Sequence, residues 1–460
     1  MAEDLARERL QKLVGFCANN PSIQYVTPSS PKYAELRAAY VSLPDLNPLV
    51  IARPSTVEAV ACIVSFVVAN DIPFTIRSGG HDSFGRFFRN GAVAVDMRLV
   101  NYVEIDQESM TARIGGGILG GDLIRALQKR GLAAAVGTVS SVGYAGWAMY
   151  GGYGPYSAKF GLGVDQILAA KVINAQGELM DADAELLKAI RGAGGAFGVV
   201  AELTIPVHRL DQTLAGAIAF QSDDLPAIIR QYNTGYQALC AEGIPAELSL
   251  QQSVFNLPHG KTLVVLFVWA SSDIKTGQSW AEKISALAPV AHYAVQPTTP
   301  LTYLTNTDRM VPSHTRGRVR TISLKRLSEE VLDVISTGVL KMPTDPHTFV
   351  AMHELRTGTP SAQGHSDSVF PAREAHFVFE IIGNAQREEN LDLATAWGQD
   401  FWNELSRTDQ ENVLPSTYLS LTAPEEVQMS RTFGENYAWL VEMKGKHDPR
   451  GVFAAATARF

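Results

Sequence analysis

Residues 75–85 read TIRSGGHDSFG, and they give the first indication of what this chain binds. An apolar, strand-like stretch precedes them, and two glycines stand directly before His81. Glycine allows a positive φ and a close approach of the backbone to a ligand. The backbone N–H groups of Ser78, Gly79 and Gly80 can therefore form a nest for an anion. A purely structural turn has no need of His81, so we predict a ligand-binding loop that carries a potential nucleophile.

Three more glycine-rich stretches follow this loop. They read GGGILGG, GYAGWAMYGGYG and RGAGGAFG, and all lie between residues 115 and 198. Their clustering predicts loops that converge on one extended, phosphate-bearing ligand. Gly115, Gly117 and Gly120 also fit the dinucleotide pattern G-x-G-x-x-G. The acidic residue expected about 20 residues later is missing, so we interpret this match as a glycine-rich turn.

Length and composition limit the class of protein. The chain has 460 residues, of which 46% are hydrophobic, so two or three domains of about 100–200 residues are expected. A net charge of −8 and the lack of basic stretches interleaved with aromatics argue against a nucleic-acid partner. We see neither a secretory signal nor about 18 consecutive apolar residues, and expect a soluble, cytoplasmic protein. Cys17, Cys62 and Cys240 are expected to be buried free thiols.

The pattern of secondary structure changes near residue 215. Before it, short strands alternate with helices such as STVEAVACIVSFVVAND, which opens with a Ser/Thr cap. After it, longer strands such as KTLVVLFVWAS and AHFVFEIIG are separated by helical stretches. This order suits one sheet backed by helices, and we predict an α+β fold. The histidines lack the spacing of metal ligands, so no metal is expected.

The motifs resemble those of the berberine bridge enzyme-like flavoproteins, which belong to the vanillyl-alcohol oxidase and p-cresol methylhydroxylase superfamily and include the 6-hydroxynicotine oxidases. RSGGHD at 77–82 resembles the loop whose histidine bonds covalently to FAD. Residues 136–167 are similar to the second FAD loop, and 189–200 to the end of the FAD domain. The segment FGENYAWLVEMKGKHDPRGVF is similar to the family's short C-terminal element.

This resemblance covers nearly the whole chain and implies a two-domain FAD-linked oxidase fold. The implied parts are a p-cresol methylhydroxylase-type FAD domain over 1–210 and a substrate domain over 211–425. The substrate domain is expected to be an antiparallel sheet backed by helices. A C-terminal element over 426–460 is expected to return to the FAD domain.

The resemblance also implies which residues hold FAD. His81 is implied as the covalent attachment, Arg77 as a brace for its loop, and Tyr437 as a residue that packs against the flavin. Members with two covalent bonds have a cysteine where this chain has Val139, so FAD is expected to be attached through His81 alone. The small Val142 falls where the family controls the approach of oxygen, and it resembles the oxidases. The implied cofactor-binding residues are Arg77, Ser78, Gly79, Gly80, His81, Asp82, Gly137, Val139, Ser141, Val142, Gly143, Gly146, Trp147, Gly151, Gly152, Tyr153, Gly154, Val200, Asn436 and Tyr437.

Oxidation of a substrate by FAD requires a base for the accompanying proton. The alternation of AHFVFEIIG places His376, Val378 and Glu380 on one face of a strand. A carboxylate among apolar residues is costly to bury unless it is paired or functional. Glu380 is therefore our first candidate for the base, the alternative being a paired structural glutamate. His353 is the second candidate, although it and Glu354 point to opposite faces and either could face the pocket.

Two further residues are candidates through the resemblance. Tyr418 matches the first tyrosine of the tyrosine-x-x-tyrosine pattern of carbohydrate-oxidising relatives, and we include it as a candidate catalytic residue. The second position is Leu421, which argues against a sugar substrate. Arg320 stands where relatives tend to carry lysine, and it is expected to bind an acidic or carbonyl group of the substrate.

We therefore predict an FAD-dependent oxidase. The expected reaction is a two-electron oxidation of an alcohol, amine or phenolic centre in a small organic molecule, such as a secondary metabolite. Molecular oxygen is the expected acceptor and H₂O₂ the product. Three alternatives stay open: a flavin-bearing cyclase without net redox chemistry, a dehydrogenase with another acceptor, and a non-catalytic binding module. The oligomeric state is not predicted.

Overall fold

The structure of the protein is a computed structural model that describes residues 2–43, 45–362 and 366–460. Its strands are β1 (Ile23–Val26), β2 (Val50–Pro54), β3 (Phe74–Arg77), β4 (Val93–Asp96), β5 (Val103–Asp106), β6 (Thr111–Gly115), β7 (Leu132–Ala133), β8 (Ala169–Ile173), β9 (Leu179–Asp181), β10 (Val199–Pro206), β11 (His208–Arg209), β12 (Thr213–Phe220), β13 (Leu248–Leu257), β14 (Gly260–Trp269), β15 (Val290–Tyr293), β16 (Gln296–Thr298), β17 (Arg316–Leu324), β18 (Thr348–Leu355) and β19 (His376–Ala385). Its α-helices are α1 (Ala2–Ala18), α2 (Tyr33–Arg37), α3 (Val57–Ala69), α4 (Gly120–Gln128), α5 (Tyr144–Ala148), α6 (Ser157–Phe160), α7 (Ala184–Ala193), α8 (Leu225–Glu242), α9 (Ile274–Ser285), α10 (Pro300–Asp308), α11 (Glu329–Lys341), α12 (Leu391–Ser406), α13 (Met429–Phe433) and α14 (Tyr437–His447).

The N-terminal part contains two larger sheets within the described ranges. One has the strand order β1-β2-β4-β3, with β4 parallel to both β2 and β3. The other has the order β5-β6-β10-β8-β9 and is antiparallel throughout. Helix α3 packs between them through fully buried Val60, Ile63 and Val64. Its first turn is capped because the Thr56 side chain accepts a hydrogen bond from the N–H of Ala59.

The G-x-G-x-x-G match does not open a dinucleotide-binding unit. Gly115 ends β6, which lies in the antiparallel sheet, whereas that fingerprint requires a parallel βαβ unit. Gly117 is needed for close packing, because a Cβ there would lie 1.7 Å from the carbonyl oxygen of Met97. The interpretation as a glycine-rich turn agrees with this geometry.

A large antiparallel sheet follows in the C-terminal half. In the described residues its order is β15-β12-β14-β13-β18-β19-β17, and β16 pairs with β12. Helices α8, α9, α11 and α12 cover one face with an apolar core that includes Phe379 and Ile381. The opposite face carries a smaller apolar cluster that includes Phe349 and Ile382. The predicted α+β fold, with a sheet backed by helices, is confirmed. The domain boundaries at residues 210 and 425 stay a prediction.

The end of the chain packs against the N-terminal sheets. After α14, the buried carboxylate of Asp448 accepts hydrogen bonds from the N–H groups of Val452 and Phe453 at 2.7 and 2.8 Å. Lys444 forms an ion pair with the same carboxylate at 2.7 Å. The turn places the ring of Phe453 edge-on against Phe74 of β3, with centroids 6.1 Å apart.

The cysteine prediction needs a correction. All three thiols are free, and Cys17 is buried, but Cys62 and Cys240 are exposed. Cys62 lies on α3 and Cys240 in the last turn of α8, and the rotation of each helix against its sheet leaves the thiol on the outer face. None of the helices in the described residues is long and apolar enough to cross a bilayer.

Candidate functional site

A cavity of about 360 Å³ lies between the glycine loops and the face of the large sheet opposite to α8, α9, α11 and α12. One wall is formed by residues from loops 78–83 and 137–147. The facing wall is formed by side chains from β13, β14, β17, β18 and β19. Residues 452–457, beyond the turn at Asp448, complete the lining. The cavity therefore brings together three regions that are far apart in the sequence.

The glycine loops meet through backbone contacts. A Cβ on Gly79 would lie 2.3 Å from the nitrogen of Gly143, and one on Gly143 would lie 2.2 Å from Ser78 Oγ. Neither position accepts a side chain, so glycine is required where the two loops cross. Gly80 has φ +77°, a left-handed conformation that other residues rarely adopt.

The N–H groups of the first loop are available to a ligand. In the described residues, no acceptor is found for the backbone N–H groups of Gly79, Gly80 and His81, and all three residues line the cavity. Successive free N–H groups of this kind form a concave anion site. The pyrophosphate of a dinucleotide fits such a nest.

His81 is held between two partners. Its Nε2 lies 2.8 Å from Ser141 Oγ, and its ring stacks on Tyr40 with centroids 4.3 Å apart. Burial, assisted by the positive charge of Arg77, lowers the pKa of His81 to about 4. The imidazole is therefore neutral at neutral pH, which is the form that can act as a nucleophile.

Two arginines hold this loop from different sides. Arg77 lies under it, donating to the carbonyls of Leu36 and Ala38 at 2.6 and 2.5 Å, and does not line the cavity. Arg86 donates to Asp82 at 2.5 Å and also to the carbonyls of Leu419 and Ser420 at 3.0 and 3.2 Å. Arg77 thus braces the loop from outside the cavity, and Arg86 joins the loop to the far end of the chain.

The facing wall carries a close acid–imidazole pair. Nε2 of His353 on β18 lies 3.4 Å from Oε1 of Glu380 on β19. Both side chains are largely buried and line the cavity. Glu354 points the other way, where it accepts a hydrogen bond from Tyr236 on α8. The register thus turns His353, rather than Glu354, toward the cavity.

Three tyrosines surround this pair. Tyr153 lies with its ring centroid 6.1 Å from His353 and 5.3 Å from Tyr418, and its hydroxyl lies 2.7 Å from Nε2 of His376. Tyr418 lies beside Gly151 of the second glycine loop and lines the same cavity as His353 and Glu380. Burial and the charge of Glu380 raise the pKa values of Tyr40 and Tyr418, so both are neutral phenols at neutral pH.

The structure brings most of the predicted site residues to this one cavity. Those that line it are Ser78, Gly79, Gly80, His81, Asp82, Gly137, Val139, Val142, Gly143, Gly146, Trp147, Tyr153, Val200, His353, Glu380 and Tyr418. Those that do not are Arg77, Ser141, Gly151, Gly152, Gly154, Arg320, Asn436 and Tyr437.

Arg320 requires a correction. It pairs with Ile381 across β17 and β19, and therefore lies on the helix-backed face, opposite to Glu380. Its guanidinium lies 3.6 Å from Glu426 and outside the cavity. It cannot bind an acidic or carbonyl group of a substrate held beside Glu380.

Several other predicted contacts also change. Tyr437 lies against Phe460, with centroids 6.3 Å apart, instead of at the cavity. Gly152 has φ +81°, and a Cβ there would lie 2.5 Å from the Cα of Gly163, so it shapes its own loop. Ser141 does not line the cavity, and it contributes to the site through its hydrogen bond with Nε2 of His81.

Sequence reasoning missed Tyr40 and Arg86. Tyr40 lies in AAYVSLP, a stretch without periodicity or motif, and nothing in the sequence connects it to His81. Arg86 follows the glycine loop directly, and its spacing of four residues from Asp82 was a usable indication of an ion pair.

Comparison with known proteins agrees with this geometry. Residues 48–183 match the family model described as an FAD binding domain. FAD-linked oxidoreductase aurO from Gibberella zeae is 30% identical over 437 residues, which cover 94% of this chain and 85% of that protein. (R)-6-hydroxynicotine oxidase from Paenarthrobacter nicotinovorans is 39% identical over 179 residues, 38% of this chain and 39% of that protein.

Solved structures share the fold. 6-Hydroxy-D-nicotine oxidase from Arthrobacter nicotinovorans superposes with a TM-score of 0.81 at 21% identity, covering 94% of this chain and 97% of that one. BBE-like 1 from Physcomitrella patens gives a TM-score of 0.81 at 20% identity and covers 96% of each chain. A chitooligosaccharide oxidase gives 0.78 at 21% identity, with 96% and 97% covered.

The match to the FAD binding domain and the similarity to aurO show a flavoprotein oxidoreductase with FAD as its cofactor, and the anion nest fits this dinucleotide. More particularly, the chain belongs to the family of FAD-linked oxidoreductases that includes aurO, and its fold is that of the 6-hydroxynicotine oxidase and BBE-like structures. The family, enzyme class and cofactor predicted from its motifs are confirmed.

Proposed function

We propose that this protein is an oxidase that carries FAD on His81 alone and removes two electrons from an alcohol, amine or phenolic centre of a small organic molecule. When bound, FAD accepts the hydride, and O₂ takes the electrons on to give H₂O₂. The observation that carries the proposal is the placement of His81 on one wall and the His353–Glu380 pair on the other wall of one cavity.

The covalent bond is assigned to Nδ1 of His81. When Nε2–H donates to Ser141 Oγ, the lone pair lies on Nδ1, and the stack with Tyr40 fixes the plane of the ring. Val139 lines the same cavity but has no nucleophilic atom. A single covalent attachment through His81 therefore fits this chain.

Uptake of the substrate proton is assigned to His353 and Glu380, the pair on the facing wall. Glu380 is the proposed base, and His353 shares the proton because Nε2 and Oε1 are close enough to form an Nε2–H···Oε1 bond once one proton is taken up. The side chain of Tyr418 is a neutral phenol, and its proposed role is to position the substrate. Burial and the charge of Glu380 raise its pKa, so the hydroxyl keeps its proton at neutral pH.

The charges of the lining favour a neutral or cationic substrate. Among the described residues that line the cavity there is no lysine, and Arg86, the arginine of the lining, is paired with Asp82. The wall around Glu380 is apolar and includes Phe255, Val319 and Phe349. With Leu421 also in the lining, an apolar phenol or amine fits better than a sugar or a carboxylic acid.

Anaerobic reduction and reoxidation of the purified protein test this function. We expect a flavin spectrum that bleaches under anaerobic conditions with members of a panel of phenols, alcohols and amines that includes (R)-6-hydroxynicotine. Air should restore the colour and release one H₂O₂ for each substrate oxidised. A chitooligosaccharide and an aryl carboxylic acid serve as expected non-substrates.

The alternatives give different results. Slow reoxidation by air with fast reoxidation by a quinone would identify a dehydrogenase. Product formation without bleaching would identify a non-redox cyclase. A colourless protein would contradict the flavoenzyme itself.

A further inference from the structure

A second, smaller cavity lies behind His353, where two strands of the large sheet separate. β13 and β18 pair through 252–254 and 350–352. Beyond this point the strands diverge, and Arg356 donates a hydrogen bond to the carbonyl of Leu248 across the gap. A cavity of about 20 Å³ lies at this gap, where it is also lined by the segment 153–158, β14 and Tyr303.

This cavity reaches both faces of the sheet. His353 and Ser249 belong to the face that looks toward the FAD-binding loops, and both line it. Glu354 and Arg356 belong to the helix-backed face and line it as well. The two charged residues lie 3.6 Å apart as an ion pair. The split in the sheet therefore brings a buried ion pair close to a proposed member of the active site.

The cavity has the size and the polar groups of a water site. A buried water needs roughly 10–15 Å³ and two to four polar partners. Ser249 Oγ is buried and has no hydrogen-bond partner in the part of the chain that the structure describes. His353 also lines the small cavity, and Nδ1 is the ring nitrogen that does not face Glu380.

We propose that this cavity binds one ordered water that links His353 to Ser249 and to the Glu354–Arg356 pair, and that Glu354 is a positioning residue for the base. The water accepts a hydrogen bond from Nδ1–H of His353 and donates to Glu354 and to Ser249 Oγ. Because the proton then lies on Nδ1, the lone pair lies on Nε2, beside Glu380. The pair is thereby set to take up one proton from the substrate, and the negative charge of Glu354 stabilises the protonated pair.

The role of Glu354 rests on the proposed function, whereas the water site does not. A matched pair of variants tests both. Ser249→Val fills the cavity and removes the hydroxyl. Ser253→Val is its control, because Ser253 lies on the same face of β13, its Oγ is also buried and unpartnered within the described residues, and it lines neither cavity. Glu354→Gln removes the charge and keeps the shape.

High-resolution crystal structures of the FAD-loaded enzyme should show a water between His353 and Ser249 in the wild type and in Ser253→Val, and none in Ser249→Val. With the fastest-reducing compound of the panel, Ser249→Val should slow anaerobic flavin reduction about tenfold, the cost of about one hydrogen bond to the base. Glu354→Gln should lower the apparent pKa of that step by about one unit, since it removes a negative charge near His353.

The outcomes separate the two proposals. An empty small cavity in the wild-type crystal, or equal reduction rates for Ser249→Val and Ser253→Val, would overturn the water site. Wild-type reduction rates in both Glu380→Gln and His353→Gln would instead overturn the proposed base. In that case the crystal structures still decide whether the water is bound.

Discussion

The ring of Tyr40 stacks on the ring of His81, with their centroids 4.3 Å apart and their planes inclined by 20°. Tyr40 is itself fixed, because its N–H donates to the carbonyl of Gly80 and its carbonyl accepts from the N–H of Thr315. Ser141 holds the same imidazole at Nε2. Two contacts therefore fix the orientation of the His81 imidazole, and orientation of this kind would lower the barrier to the proposed bond with the flavin.

Loss of the stack should slow the attachment of FAD. Tyr40→Ala removes a contact worth about 0.5–1.5 kcal/mol, so covalent incorporation into apoprotein should slow up to about tenfold. Tyr40→Phe keeps the ring and serves as the control. Incorporation is followed by the fluorescence of the denatured protein band over time. Equal rates in Tyr40→Ala and wild type would show that the stack does not orient His81.

The attachment rate should also report the low pKa of His81. Burial and Arg77 lower this pKa to about 4 from an ordinary value near 6.5, so the imidazole is already neutral in mildly acidic solution. Incorporation of FAD should therefore vary little between about pH 5.5 and 8, and fall only as the pH approaches 4. A half-maximal rate near pH 6.5 would indicate an ordinary, solvated histidine at this position.

His81→Ala should abolish covalent attachment while some FAD still binds. The wild-type band should stay fluorescent on a denaturing gel, since a C–N bond resists acid and detergent, and the variant band should be dark. His208→Ala is a suitable control, because His208 is half-buried and burial also lowers its pKa to about 4, but its ring stacks on Phe160 away from the cavity. A fluorescent His81→Ala band, or wild-type flavin released by acid, would contradict the single attachment.

Glu380→Gln should separate binding of the cofactor from chemistry. The amide keeps the shape of the side chain but cannot accept the substrate proton, which typically costs about 10²–10⁴-fold in rate. Flavin content should be unchanged while anaerobic reduction slows. Glu374→Gln removes an exposed carboxylate just before the same strand and should behave as wild type. If Glu380→Gln reduces at the wild-type rate, the role passes to His353.

Gly152→Val should destabilise the second loop. The new side chain would collide with the backbone of Gly163, and overpacking of this kind costs about 1–3 kcal/mol. Gly358→Val is the matched control, because its φ of +84° is close to the +81° of Gly152 while no atom lies within 4 Å of its Cβ position. We expect a lower melting temperature and less bound flavin in Gly152→Val than in the control. If the two variants had equal melting temperatures and equal flavin contents, the effect would come from backbone conformation alone.

The sequence predicted the position of the first loop at the cavity because the residues of that loop are contiguous. The glycines, His81 and Asp82 are contiguous, and strand alternation placed Glu380 on the correct face of β19. What it missed depends on contacts between distant segments. Tyr40 reaches His81 only because its backbone pairs with Thr315, and no local pattern records that pairing.

Arg320 illustrates the same limit. Alternation within one strand separates its two faces, but only the pairing of Arg320 with Ile381 tells which face looks toward Glu380. The exposure of Cys62 and Cys240 likewise depends on how their helices are rotated against the sheets. Register and rotation are tertiary properties, and composition does not determine them.

The contacts of Arg86 with the carbonyls of Leu419 and Ser420 join segments that lie 333 and 334 residues apart in the sequence. Residues 452–457 line the same cavity. The glycine loops therefore supply only part of the cavity, and it takes its shape when these distant segments have packed against them. The pocket is a product of the folding of both halves of the chain together, not of the glycine loops alone.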